Sequence, residues 1–107
     1  MEIKMQKRLY SIEELQQLIN PIAARYGVER VFLFGSYVRG NASNDSDIDL
    51  RIDRGAIQDY FELSGFHQDL ENTLSGSVDV LTTGSLDEKF LSRIKSEEVM
   101  LYEQPQH

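Results

Sequence analysis

Two short segments of this sequence carry residues whose types and spacing could do chemistry together. Phe34-Gly35-Ser36-Tyr37-Val38-Arg39-Gly40 contains a Gly-Ser turn, and about ten residues on comes Asp45-Ser46-Asp47-Ile48-Asp49-Leu50. On a strand, residues i and i+2 share a face, so Asp47 and Asp49 point one way while Ile48 and Leu50 point into a core. Two carboxylates on one face can hold Mg²⁺. The run Ser77-Val78-Asp79-Val80-Leu81 offers a third carboxylate, Asp79, where a purely structural strand would prefer another apolar side chain. Gly35 lets the backbone come close to phosphate oxygens, and Ser36 presents a hydroxyl and a backbone N–H to them. Together these residues read as a phosphate cradle facing a metal site, the equipment of nucleotidyl transfer. That reaction needs in-line attack on the α-phosphate of a nucleoside triphosphate as pyrophosphate leaves. Two metal ions about 3.5–4 Å apart stabilise both the attacking and the leaving oxygen. Asp47 and Asp49 would bridge the ions. Asp79 would complete the one beside the attacking hydroxyl and help take its proton.

These residues need elements to position them, and the sequence predicts a compact alternating α/β unit, one domain over 1–107. Ser11-Ile12-Glu13-Glu14 is a capping box, and Ile12, Leu15, Leu18, Ile19 and Ile22 recur at helical spacing. A first helix is expected from Ile12 to Tyr26, bent at Pro21 and stopped by Gly27. Val31-Phe32-Leu33-Phe34 reads as a buried strand, which puts the Gly-Ser turn at a strand's C-terminal end. Asp47 to Ile52 is the second strand, closed by Arg54-Gly55. Ile57, Phe61, Leu63, Phe66, Leu70 and Leu74 mark a long helix ending at Gly76, with Tyr60, Phe61 and Phe66 as core residues. Ser77 to Thr82 is a third strand. Ser85-Leu86-Asp87-Glu88 reads as a second capping box, opening a helix with Leu86, Phe90, Leu91 and Ile94 inward, and Val99 to Tyr102 as a short edge strand. If Tyr37 to Gly40 begins a helical turn, its dipole also favours a triphosphate.

Composition narrows the partners. The 107 residues are 40% hydrophobic and 27% charged, as in a soluble globular domain with one modest core. No apolar stretch approaches the ~18 residues that span a bilayer, and Met1-Glu2-Ile3-Lys4 lacks a signal-peptide apolar region, so the cytoplasm is expected. The absence of cysteine excludes disulfides and thiolate metal sites, which favours Mg²⁺ or Mn²⁺ over zinc. A formal charge of -7 argues against gripping long nucleic acid, though Arg39, Arg51 or Arg54 could hold a mononucleotide.

Taken singly, each feature has an ordinary explanation. Gly-Ser is a common turn, Asp-Ser-Asp-Ile-Asp could satisfy loop amides, and Asp79 could be an edge-strand acid. Their joint spacing, each at a strand end, is what points to an active site. His67 reads as a surface or boundary histidine, His107 as a tail residue, and Glu13, Glu14, Glu97 and Glu98 as solvated caps and faces.

The chain resembles the minimal nucleotidyltransferases of the DNA polymerase beta superfamily, whose signature is Gly-Ser, Asp-x-Asp on the next strand and a third acid on a later one. Here these fall on Gly35, Ser36, Asp47, Asp49 and Asp79. Gly-Ser-Tyr-Val-Arg-Gly with Ser-Asp-Ile-Asp-Leu is most similar to the MNT branch, antitoxins that act beside HEPN ribonuclease toxins. The resemblance implies a small mixed β-sheet flanked by helices, ATP with two Mg²⁺ ions, and transfer of AMP to a tyrosine of a HEPN toxin in a hetero-oligomer. Arg39 would clamp phosphate or pin the loop, and its place three residues past the cradle suits the second role better. The small size agrees with this, because larger nucleotidyltransferases present their acceptor through an extra domain and here a partner would have to do so. Two other readings stay open: an antitoxin neutralising by contact through its acidic surface, and nucleotidyl transfer to a small molecule or an RNA end.

Overall fold

A computed structural model describes residues 8–105; Met1 to Lys4 and His107 lie outside the described residues. The order is α1 (Ile12–Tyr26), β1 (Arg30–Phe34), α2 (Ser36–Arg39), β2 (Ile48–Asp53), α3 (Tyr60–Leu74), β3 (Val78–Thr82), a 3₁₀ turn (Thr83–Ser85), α4 (Glu88–Lys95) and β4 (Val99–Glu103). The four strands form one mixed sheet in the order β3-β2-β1-β4. β1 runs antiparallel to both β2 and β4, while β2 and β3, joined through α3, are parallel. This is the small mixed sheet flanked by helices that the family resemblance implies.

Local chemistry explains most of the boundaries. The Ser11 hydroxyl accepts from the Glu14 N–H at 3.0 Å and the Glu14 carboxylate accepts from the Ser11 N–H at 2.9 Å, so both halves of the capping box form. Gly27, at φ 71°, ends α1 in the left-handed region. The helix runs through Pro21 and buries Leu15, Ile19, Ile22 and Ala23. With Phe66, Leu70 and Leu74 of α3, these side chains pack on Val31, Leu33, Ile48, Leu50, Ile52 and Val78 from one face of the sheet. The opposite face carries Asp49, Arg51 and Asp53, and meets α4 and the turn that follows it. Among the described residues no helix is long and apolar enough to cross a membrane.

Three expectations need correction. Tyr60 and Phe61 are not core: they are 82% and 85% exposed. Phe61 aligns at helical spacing with Gln68 and Asn72 on the outward face, and Tyr60 is the first residue of the helix, ahead of the buried stripe that begins at Phe66. Ile57 is buried, but ahead of the helix, whose N-cap is Asp59. The second capping box does not form, because the Ser85 hydroxyl turns back onto Thr82 in the 3₁₀ turn, donating to its carbonyl at 2.8 Å and accepting from its hydroxyl at 3.0 Å. Asp87 caps α4 instead, accepting from the Phe90 N–H at 2.8 Å.

Candidate active site

Strand register brings the predicted acids together. Asp49 lies opposite Phe34 on β1 and opposite Asp79 on β3, so the end of β1 and both carboxylates form one row across three strands. Directly opposite residues on neighbouring strands share a face, which turns a separation of thirty residues into contact. Asp47 stands one residue before β2, exposed, on the approach to the same row.

Gly35 follows Phe34 at φ 81° and ψ −150°, a conformation open to glycine and costly for other residues. A Cβ there would sit 2.3 Å from Oδ2 of Asp49. Glycine is therefore needed twice, for its backbone angle and because the Asp49 carboxylate occupies the space a side chain would fill. The Gly35 carbonyl accepts from the N–H groups of Val38 and Arg39, each at 3.1 Å, which folds Ser36–Arg39 into the single turn of α2.

Asp49 is the most perturbed acid of the row. Burial, then hydrogen-bonding contact with Asp79, then the charges of Asp79 and Asp47 push its carboxyl up to about 6, while Arg39 draws it back. Negative charge is in excess here, and a hard cation would relieve it; carboxylate oxygens suit Mg²⁺ or Mn²⁺. Among the described residues, no three His, Cys, Asp or Glu side chains converge as a ready-made metal cage. The close element is the Asp49–Asp79 pair, with Asp47 adding charge from outside it.

The row opens into a cleft of about 420 Å³. Gly35, Arg39, Asp49 and Asp79 line it, whereas Ser36 and Asp47 flank it without forming its wall. The far wall is α4 and its following turn: Phe90, Arg93, Ile94 and Glu97. Sequence reading placed Phe90 and Ile94 on an inward stripe and passed over Arg93; Phe90 and Arg93, three apart on one helix, share a side, which was the available signal.

The basic residues separate by role. Arg51 is 3% exposed and fully engaged, donating to Glu98 at 3.0 Å from Nε and to the Thr83 hydroxyl at 2.7 Å, with its guanidinium 4.1 Å from the Phe32 ring centroid. Arg54 is exposed beyond the opposite end of β2. Only Arg39, of the three basic candidates, lines the cleft, and it donates to Glu97 at 3.0 Å. Glu97 and Glu98 are thus ion-pair partners rather than a solvated face. His67 sits at a boundary, with Nε2 against the Val78 carbonyl, as expected of a structural histidine.

A four-stranded mixed sheet with acids at matched strand ends, beside a Gly-Ser turn, is the architecture of a nucleotidyltransferase. Residues 16–107 match the family described as polymerase beta, nucleotidyltransferase, and the chain belongs to that family. It is 32% identical over 82 residues, 73% of its length and 83% of the relative's, to protein adenylyltransferase MntA of Thermococcus cleftensis. A solved toxin–antitoxin complex with AMP-PNP has the same fold at TM-score 0.72, with 21% identity over 83% of this chain and 73% of that one. So does a complex of a tri-AMPylated Shewanella oneidensis HEPN toxin with an MNT antitoxin, at TM-score 0.58 and 20% identity, again over 83% and 73%.

Proposed function

We propose that this nucleotidyltransferase uses Mg²⁺ and ATP to transfer AMP to a tyrosine hydroxyl of a partner HEPN ribonuclease toxin in the cytoplasm, and so acts as its antitoxin. The observation that carries this reading is the Asp49–Asp79 pair held against Gly35 at the floor of a nucleotide-sized cleft. The names of the relatives support it: one is a protein adenylyltransferase, and the solved complexes pair a toxin with an antitoxin, one with AMP-PNP and one with the toxin AMPylated.

In this reading Asp47, Asp49 and Asp79 hold the divalent ions, which when bound supply Lewis acidity to the α-phosphate and the leaving oxygen. Gly35 admits phosphate close to the backbone, the Ser36 hydroxyl and N–H donate to it, and Arg39 offers a guanidinium. The apolar wall of Phe34, Leu81, Phe90 and Ile94 takes the base and excludes water from one side of the cleft. Asp79, exposed at the start of β3, faces the incoming acceptor and accepts the proton of its hydroxyl. The hydroxyl oxygen forms the new bond to the α-phosphorus, the bond to the β-phosphate bridging oxygen breaks, and pyrophosphate carries away that electron pair.

The test is label transfer from α-labelled ATP, with Mg²⁺, to the co-expressed toxin, with γ-labelled ATP as the control for kinase chemistry. Wild type should label the toxin and Asp47→Asn/Asp49→Asn should not, with loss of neutralisation in parallel. A double variant that neutralises as well as wild type would replace catalysis with neutralisation by contact.

A further inference from the structure

Arg39 and Glu97 stand on opposite sides of the cleft, one ending α2 and the other in the turn between α4 and β4, and their side chains meet at 3.0 Å. The adjacent Glu98 anchors that turn separately, on the buried Arg51. The turn therefore does not depend on Arg39 for its position. The two ion pairs differ in exposure: Arg51 and Glu98 keep 3% and 9% of their side-chain surface, Arg39 and Glu97 keep 53% and 33%. A pair so open to water holds weakly and exchanges readily. The guanidinium fork fits carboxylate and phosphate alike, and a triphosphate brings it more negative charge than a single carboxylate.

We infer that Glu97 is an internal stand-in for the nucleotide's phosphates. Its carboxylate holds Arg39 at the edge of the cleft while the cleft is empty and yields it to the triphosphate when ATP enters. Glu97 touches no reacting atom in this account. It is a positioning residue that acts through Arg39 and sets nucleotide affinity by competing for it. The inference rests on the reading that ATP binds this cleft and extends it to a residue on the opposite wall.

The experiment is calorimetric titration of the full chain with AMP-PNP and Mg²⁺, for wild type, Glu97→Gln, Glu97→Asp, Arg39→Ala and the Arg39→Ala/Glu97→Gln double variant. Removing the competitor should tighten binding about threefold, the scale of an exposed ion pair. Glu97→Asp, which keeps the charge, should stay near wild type, and Arg39→Ala should bind more weakly. In the double variant the gain from Glu97→Gln should vanish. In the transfer assay, Glu97→Gln should lower KM for ATP with kcat unchanged. Equal or weaker binding by Glu97→Gln, with wild type still binding, would overturn this inference and leave the proposed function standing. The same gain with and without Arg39 would also overturn it, by making Glu97 a general repulsive charge. No nucleotide binding by any form would overturn both.

Discussion

At Asp49 the requirements of folding and of chemistry oppose each other on one carboxyl group. Its value in the folded protein, about 6, lies above the ordinary aspartate value of 3.8, first because of burial and then because of Asp79 and Asp47. Between those two pH values the folded protein binds the proton more tightly than the unfolded chain, so stability falls as pH rises through this window. The cost is absent below about pH 3.8 and complete above about pH 6. Asp49→Asn removes it. With EDTA present, the variant's Tm should match wild type at pH 3.5 and exceed it increasingly up to about pH 6, with a plateau beyond. A variant that melts below wild type at pH 7 would contradict this account. Asp49 was legible in the sequence through its spacing from Asp47 and from the Gly-Ser turn; its contact with Asp79 was not, since residues thirty apart meet only through strand register.

At the scale of elements, α4 and the turn after it decide the shape of the cleft, and a buried ion pair holds that turn to the sheet. Arg51 donates to Glu98 and to Thr83 and lies over Phe32, so one side chain ties β2 to the 3₁₀ turn, to β1 and to the turn before β4. Removing one partner strands the other in a dry place. Arg51→Ala should therefore cost about 3–5 kcal/mol in urea unfolding. That is a large fraction of the roughly 5–15 kcal/mol expected for a whole domain. A loss below about 1 kcal/mol would mean that water reaches Glu98 as soon as Arg51 is gone. The helix starts show how far local chemistry reaches. Ser11 and Glu14 cap α1 as their spacing predicts, whereas the equally good box at Ser85 loses its hydroxyl to a tighter turn and passes the cap to Asp87. Two valid local signals competed, and the 3₁₀ turn that joins β3 to α4 selected between them.

Over the whole molecule, one face of the sheet carries the apolar core, and the other carries the site together with the Arg51–Glu98 pair that braces it. Phe66, fully buried between α3 and the sheet, belongs to the first; Phe61, five residues earlier and 85% exposed, belongs to neither. Phe66→Ala should cost about 3–5 kcal/mol, while Phe61→Ala should stay within about 0.5 kcal/mol of wild type. Comparable losses in denaturant titrations of the two variants would contradict this division.

The sequence by itself determined the Gly-Ser turn, the three acids, the apolar alternation of β2 and the span of α1. Each of these depends on neighbours a few residues away, through backbone period, capping and the freedom of glycine. Only the tertiary structure decided that Phe34, Asp49 and Asp79 share a row, that Gly35 has no room for a Cβ, that Glu97 and Glu98 face Arg39 and Arg51, and that Tyr60 and Phe61 miss the core. These are pairings across the chain, set by strand register and by where a helix meets the sheet, and no local preference of the residues involved encodes them.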